Sequence, residues 1–195
     1  MRIPKDTVLL VIDVQRAIDD PAWGPRNNPD GERKIARLLA AWRAASLPVM
    51  HIRHDSREPG SPYRPGAPGH AFKPEAMPLP GEPVVGKQAH SAFVGTKLQR
   101  LLDRLGATTL VVCGVLTHNS VESTVRQAGD LGYRVFVVAD GCWSVDKRDL
   151  AGKLWTAADV HVLSLSHMQG EFAEVVDARK AIAAAGAWVV NENHH

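Results

Sequence analysis

Three residues of this chain have side chains that could act on a bond, and each stands where one kind of sequence gives way to another. Asp13 closes the apolar run Thr7-Val-Leu-Leu-Val-Ile-Asp13, and Lys87 closes Pro83-Val-Val-Gly-Lys87. Ser120 ends the segment Gly114-Val-Leu-Thr-His-Asn-Ser120, just where a helical pattern begins. A lysine held against a carboxylate away from water keeps that carboxylate ionised, and so basic toward a third group. The first turn of a helix offers N–H groups without intrahelical partners, which can take an anion or a developing oxyanion. A cysteine there would gain a lowered pKa from the helix terminus and a nearby lysine. A serine hydroxyl is far harder to deprotonate. Each residue also has a plainer reading: Asp13 as a salt-bridged acid, Lys87 as a solvated lysine, Ser120 as an early-helix serine.

The surrounding pattern says which elements would bring the three together. Thr7 to Asp13 reads as a strand buried on both faces, followed by a helix over Glu32 to Ser46 with Ile35, Leu38, Leu39 and Trp42 on one side. Pro48 to Arg53 and Pro83 to Lys87 read as strands, separated by a Gly- and Pro-rich surface loop, Asp55 to Pro83, of a length that is usually either functional or disordered. Next come a helix over Gly95 to Leu105, a strand over Thr108 to Cys113, a helix over Asn119 to Leu131 and a strand over Tyr133 to Asp140. The pattern then predicts a helix over Arg148 to Asp159, a strand over His161 to Leu165 and a helix over His167 to Ala185. Strands alternating with helices imply an α/β fold, a three-layer sandwich around a mostly parallel, Rossmann-like sheet. Such sheets bind ligands at the carboxyl ends of their strands, near a switch in strand order. That places Asp13, Lys87, the Gly114 to Ser120 turn and Asp140 at one edge.

Composition narrows the function classes. The 195 residues suit a single domain spanning 1–195. A formal net charge of +2, without a Lys/Arg run, speaks against nucleic acid. The apolar stretches are strand-sized and the first residues lack a signal-peptide core, so no membrane partner and a cytoplasmic location are expected. Cys113 and Cys142 fit no metal spacing and read as reduced thiols. Gly81 to Lys87 superficially fits a phosphate-binding loop, but Gln88 stands where a magnesium-binding hydroxyl belongs and Pro83-Val-Val looks like strand. His194 and His195 have no assigned role.

Taken in order, several pieces resemble the isochorismatase-like hydrolases, also called the cysteine hydrolase superfamily. They are Leu10-Val-Ile-Asp13-Val-Gln15, His51-Ile-Arg-His54-Asp55-Ser56, Gly86-Lys87 with Ser91-Ala-Phe93 and Gly95-Thr96, Gly114 to Val121, and Gly132 to Asp140. Their order and spacing cover residues 7 to 175. The resemblance implies a catalytic Asp, Lys and Cys: Asp13 as the acid that accepts the thiol proton, Lys87 as the lysine that orients it, and Ser120 at the position of the cysteine. It also implies a non-proline cis peptide before Thr117, and an oxyanion site made by backbone at Leu116, Thr117 and Ser120. Cys113 lies seven residues too early to replace the nucleophile.

The implied reaction is hydrolysis of a small amide or ureide C–N bond, at very low turnover with serine in the nucleophile's place. Three accounts of Ser120 stand side by side: a Cys-to-Ser replacement in an otherwise retained apparatus, a natural serine form, or an isochorismatase-type vinyl ether hydrolase that needs no nucleophile. A catalytically dead binding protein is the reading from a different class. Gln15, Trp23, Arg26, His54, Phe93 and His118 are the candidates to face a small-molecule substrate, with Trp23 and Arg26 suited to a planar or carboxylate-bearing one. His51 and His54 lie three apart on a strand-to-loop segment and point different ways, so no metal is expected, and no other cofactor. The resemblance further implies a homo-oligomer, a dimer or tetramer, for which the apolar stretch Ala187-Trp-Val-Val190 is a candidate surface.

Overall fold

The computed structural model describes residues 1–192, with side chains as far as Val189. Six strands form the central sheet: β1 (Val8–Ile12), β2 (Val49–His54), β3 (Val84–Lys87), β4 (Thr109–Val115), β5 (Arg134–Trp143) and β8 (Glu174–Val176). Their order is β3-β2-β1-β4-β5-β8, and every pairing is parallel. A short antiparallel hairpin of β6 (Lys147–Arg148) and β7 (Leu154–Trp155) stands apart. The helices are α1 (Gly31–Ala44), α2 (Leu98–Leu105), α3 (Glu122–Asp130), α4 (Ala157–Met168) and α5 (Ala178–Glu192). The fold is the expected α/β sandwich on a Rossmann-like sheet.

This strand order reverses direction between β1 and β4. From β1 the chain runs one way to β2 and β3, then crosses back to β4 and continues to β5. Parallel crossovers are right-handed, so α1 covers one face while α2, α3 and α4 cover the other. β1 and β4 are buried along their whole length, which is why both read as unbroken apolar runs. Trp42 anchors α1 to the sheet, its Nε1–H donating to the Thr7 carbonyl at 3.1 Å. Gly114 is required where it stands: φ is 122°, and a Cβ would lie 2.1 Å from the Ile12 carbonyl oxygen. That close approach lets the chain leave β4 directly beside the end of β1.

Beyond residue 140 the expected elements are redrawn. Lys147 to Trp155 form the hairpin rather than a helix, and the stretch read as a strand lies inside α4. The last helix begins at Ala178, after β8. α4 carries Val162 and Leu163 exposed on its outer side, which blurs the amphipathic period into something strand-like. The helices expected to start at Gly95 and Asn119 start at Leu98 and Glu122. Trp188 and Val189 pack back onto the core, and the Trp188 Nε1–H donates to the Ile3 carbonyl at 3.1 Å. That part of the C-terminal stretch is an internal contact, and His194 and His195 lie outside the described residues. No described helix is long and apolar enough to cross a membrane.

Candidate active site

The carboxyl ends of β1, β2, β3 and β4 converge at the switch point. In the β2–β3 register His54 lies opposite Lys87, so the edge strand sends its lysine past the end of β2 toward β1. Lys87 Nζ lies 2.7 Å from Asp13 Oδ2, 3.1 Å from Ser120 Oγ, 3.1 Å from the Ala89 carbonyl and 3.3 Å from His54 Nδ1. The Lys87 side chain is wholly buried and Asp13 nearly so. Asp13 Oδ1 is buried with no hydrogen-bond partner. A carboxylate oxygen left bare beside an ammonium is costly unless another group uses it, which is a mark of chemistry more than of packing.

His54 sets the polarity of this cluster. An ammonium has only protons to offer, so His54 Nδ1 must accept, leaving the ring N–H on Nε2. Burial, followed by the Lys87 charge, pushes the His54 pKa below its usual value. The ring is therefore neutral at pH 7.

The turn that carries Ser120 is built differently from a simple helix start. A non-proline cis peptide joins Val115 and Leu116, one residue earlier than the resemblance implied. Thr117 to Val121 then form one wide π-type turn that runs into α3, so Ser120 precedes α3 instead of lying in its first turn. The Leu116 carbonyl accepts the Asn119 and Val121 N–H groups at 3.0 and 3.2 Å. Thr117 turns away from the cleft: its hydroxyl pairs with His161 Nδ1 at 2.8 Å, and its carbonyl accepts from Ser164 Oγ at 3.1 Å. Two α4 residues therefore hold the turn from behind.

A cleft of about 420 Å³ opens over these groups, with Asp13, Leu116 and Ser120 in its floor and Trp23, His54 and Tyr63 in its wall. Tyr63 meets Trp23 edge-on at 6.4 Å between ring centroids and His54 at 5.6 Å. Trp23 is fixed by its Nε1–H, which donates to the Ala17 carbonyl at 2.9 Å. Ser56, Glu58, His90 and Asn119 complete the rim. Tyr63, Ser56 and Glu58 come from the long loop after β2. Its length leaves it functional or disordered, and its Gly/Pro composition does not say which residue turns inward.

Several candidates are placed elsewhere. Gln15 is buried as a brace: its amide takes the His54 N–H at 2.8 Å and donates to the His54 and His70 carbonyls at 3.1 and 2.9 Å. Arg26 lies over the Trp143 ring at 4.1 Å and gives both guanidinium NH groups to Glu32, at 2.7 and 2.6 Å. Phe93 stacks on Tyr133 in the packed interior. His118 Nδ1 pairs with Ser144 Oγ at 2.9 Å, beside the β6–β7 hairpin. Asp140 misses the edge because β5 does not end there. Between Val112↔Val137 and Gly114↔Cys142 the strand bulges, and Asp140 sits in the bulge, accepting the Ala178 N–H and pairing with Lys34.

His51 and His54 diverge as ligands for a metal would not. His51 is buried with Nε2 at 2.8 Å from Glu82, while His54 Nδ1 faces Lys87. Cys113 is fully buried in β4, its thiol pushed up by that burial, and has no route to the cleft.

With this geometry in hand, comparison with known proteins gives one consistent result. The Isochorismatase domain matches residues 7–180. An isochorismatase-family protein from Chromobacterium violaceum superposes with a TM-score of 0.93 at 53% identity, over 96% of this chain and 97% of that one. YrdC, an uncharacterized isochorismatase family protein of Bacillus subtilis, is 34% identical over 89% of this chain and 93% of its own length. Streptothricin hydrolase of Streptomyces noursei is 39% identical over 68% of this chain, a match spanning 48% of that protein. A model matched over most of the chain, a curated relative above 30% identity across nearly its full length and the shared fold agree: the chain belongs to the isochorismatase-like hydrolase family.

Proposed function

We propose that this chain hydrolyses a small amide or ureide C–N bond through Asp13, Lys87 and Ser120, and that serine at the nucleophile position keeps its turnover low. The observation that carries the reading is one ammonium donating both to a carboxylate with a bare second oxygen and to a hydroxyl at the cleft floor. Relatives named ureidoacrylate amidohydrolase, nicotinamidase and cysteine hydrolase support the reaction class.

Each group then has a task. Asp13, through Oδ1, takes the proton of the attacking group, and Lys87, 2.7 Å from its other oxygen, holds the carboxylate in place. The nucleophile adds to the carbonyl carbon, and backbone N–H groups along Leu116, Thr117 and Ser120 take the negative oxygen. The C–N bond breaks as the proton passes from Asp13 to the leaving nitrogen, and water then releases the acyl group. Lys87 already donates to Ser120 Oγ, which favours an anion there, but an alkoxide remains far harder to form than a thiolate. No cofactor takes part in this scheme. Exposed Leu150, Leu154, Trp155, Val162 and Leu163, on and around the hairpin and α4, support a homo-oligomer in the same reading.

Ser120→Cys tests the proposal directly. Ammonia release from a panel of small amides, ureides and carbamoyl compounds should rise about 100-fold or more, with an acyl-thioester mass trapped on the protein. Equal, negligible release from both forms would sink it. Undiminished turnover of a vinyl ether by Ser120→Ala would favour the nucleophile-free reaction, which needs only Asp13.

A further inference from the structure

The walls of the cleft carry information about charge. Its lining includes two carboxylates, Asp13 and Glu58, and neither an arginine nor a lysine. Lys87 lies beneath the floor, already against Asp13. Two carboxylates thus face the Lys87 ammonium, with the His90 imidazole also in the lining. His54 is kept neutral, and Asp19, whose charge also acts on Tyr63, is matched by Lys73. Arg26, the guanidinium that the sequence singles out for an anionic substrate, is used up by Glu32 and Trp143, and Arg57, beside Glu58 in the chain, lines a separate pocket. Glu58 stands exposed at the mouth, held there by its N–H donating to Ser56 Oγ at 3.2 Å. Trp23 and Tyr63 offer aromatic surface beside it, and aromatic surface attracts cations. The field at Tyr63 is consistent: after burial, Asp13 and Asp19 are what raise its phenol pKa.

We infer that this cleft selects a small substrate that is cationic or uncharged and rejects carboxylates, with Glu58 as the counter-charge at the mouth between the cleft and its aromatic wall. The inference deepens the hydrolase reading and rests on it for taking the cleft as the substrate site. It also counts against an isochorismate-type substrate, which carries carboxylates.

The test uses a reporter thiol on the cleft floor. Ser120→Cys protein is treated at pH 8 with 2-aminoethyl methanethiosulfonate, a cation, and separately with 2-sulfonatoethyl methanethiosulfonate, an anion. Cys113 and Cys142 are fully buried and leave the introduced thiol as the reacting one. The ratio of the two rates, divided by the same ratio for free cysteine, cancels the thiol's own reactivity. That normalised ratio should favour the cation by about tenfold at low salt, shrink as salt is added, and fall by about threefold or more when Glu58→Lys is combined with Ser120→Cys. A normalised ratio at or below one overturns the inference, as does a ratio indifferent to Glu58→Lys or a thiol that neither reagent reaches. Labelling needs no turnover. If the cation preference holds while ammonia release fails, the hydrolase reading falls and the charge selectivity stands.

Discussion

Lys87 and Lys73 are both taken out of water by carboxylates, and the difference between their surroundings separates a site from a brace. Lys73 Nζ lies 2.8 Å from Glu32 and also bonds Asp19, while Arg26 gives two further hydrogen bonds to the same Glu32. Both oxygens of Glu32 are satisfied. Lys87 instead spreads its donors over Asp13, Ser120, His54 and a carbonyl, and leaves one oxygen of Asp13 with nothing. The first cluster ties the segment after β1 to α1 and the long loop. The second leaves a carboxylate oxygen unpaired in a cleft whose floor also carries the Ser120 hydroxyl, which on the proposed reading are base and nucleophile. A completed polar network stabilises, whereas an incomplete one in a cleft is available for reaction.

Removing one carboxylate from each cluster sharpens the contrast most. In the Ser120→Cys background, Asp13→Asn should lower kcat by about 10³-fold, as loss of a general base does. Asparagine can still accept from Lys87 but leaves its buried ammonium without a counter-charge, so stability should fall as well, and the decisive reading is kcat of the folded protein. Glu32→Gln should cost about 2 kcal/mol of stability by leaving two cations short of a partner, with kcat nearly unchanged. If Asp13→Asn proves mainly a stability variant, the two clusters are alike and the distinction fails.

Acid should dismantle the brace in a defined window. Burial works to raise the Glu32 pKa, but hydrogen bonds from Arg26 and Lys73 outweigh it and hold the group at about 2, against an ordinary 4.5. A depressed carboxylate contributes stability that is present above its unfolded pKa and lost as pH falls through the folded one. For Glu32, half-buried and so partly screened by solvent, this amounts to about 2 kcal/mol, present above pH 4.5 and lost progressively toward pH 2. Urea unfolding at pH 7, 5, 4 and 3 should show that slope, flattened in Glu32→Gln. Glu82, where burial is outweighed chiefly by Arg43 so that the group sits at about 2, keeps part of the acid sensitivity in the variant. An unchanged slope in Glu32→Gln would show that the network does not couple to folding.

The contrast also explains what could be seen in the sequence. Asp13, Lys87 and Ser120 were legible because each lies at or just beyond the end of a strand, and parallel strands deliver their carboxyl-terminal residues to the same edge. Asp140 looked equivalent, but Tyr133 to Asp140 does not reveal that the strand resumes at Cys142 after a bulge. Tyr63 and Glu58 were not legible because a Gly/Pro-rich segment has no period from which to infer facing. Arg26 was read as a substrate contact because its type suits an anion, yet whether an arginine meets a ligand or a carboxylate of its own chain depends on tertiary placement. Here Glu32, in the first turn of α1, took it.

Arg26 gives the smallest and most discriminating test. Arg26→Lys keeps the charge but not the shape. A lysine can reach one oxygen of Glu32, not both, and cannot lie flat on the Trp143 ring as the guanidinium does at 4.1 Å. The loss should be about 1 kcal/mol in urea unfolding, because Lys73 still binds Glu32. Since Arg26 is no part of the cleft lining, KM for any substrate of the Ser120→Cys form should stay within about twofold. A tenfold rise in KM at unchanged stability would mean the guanidinium does reach the substrate. The cleft would then hold the positive charge its lining lacks, and the boundary between brace and site would have to move from Arg26 to the far side of Glu32.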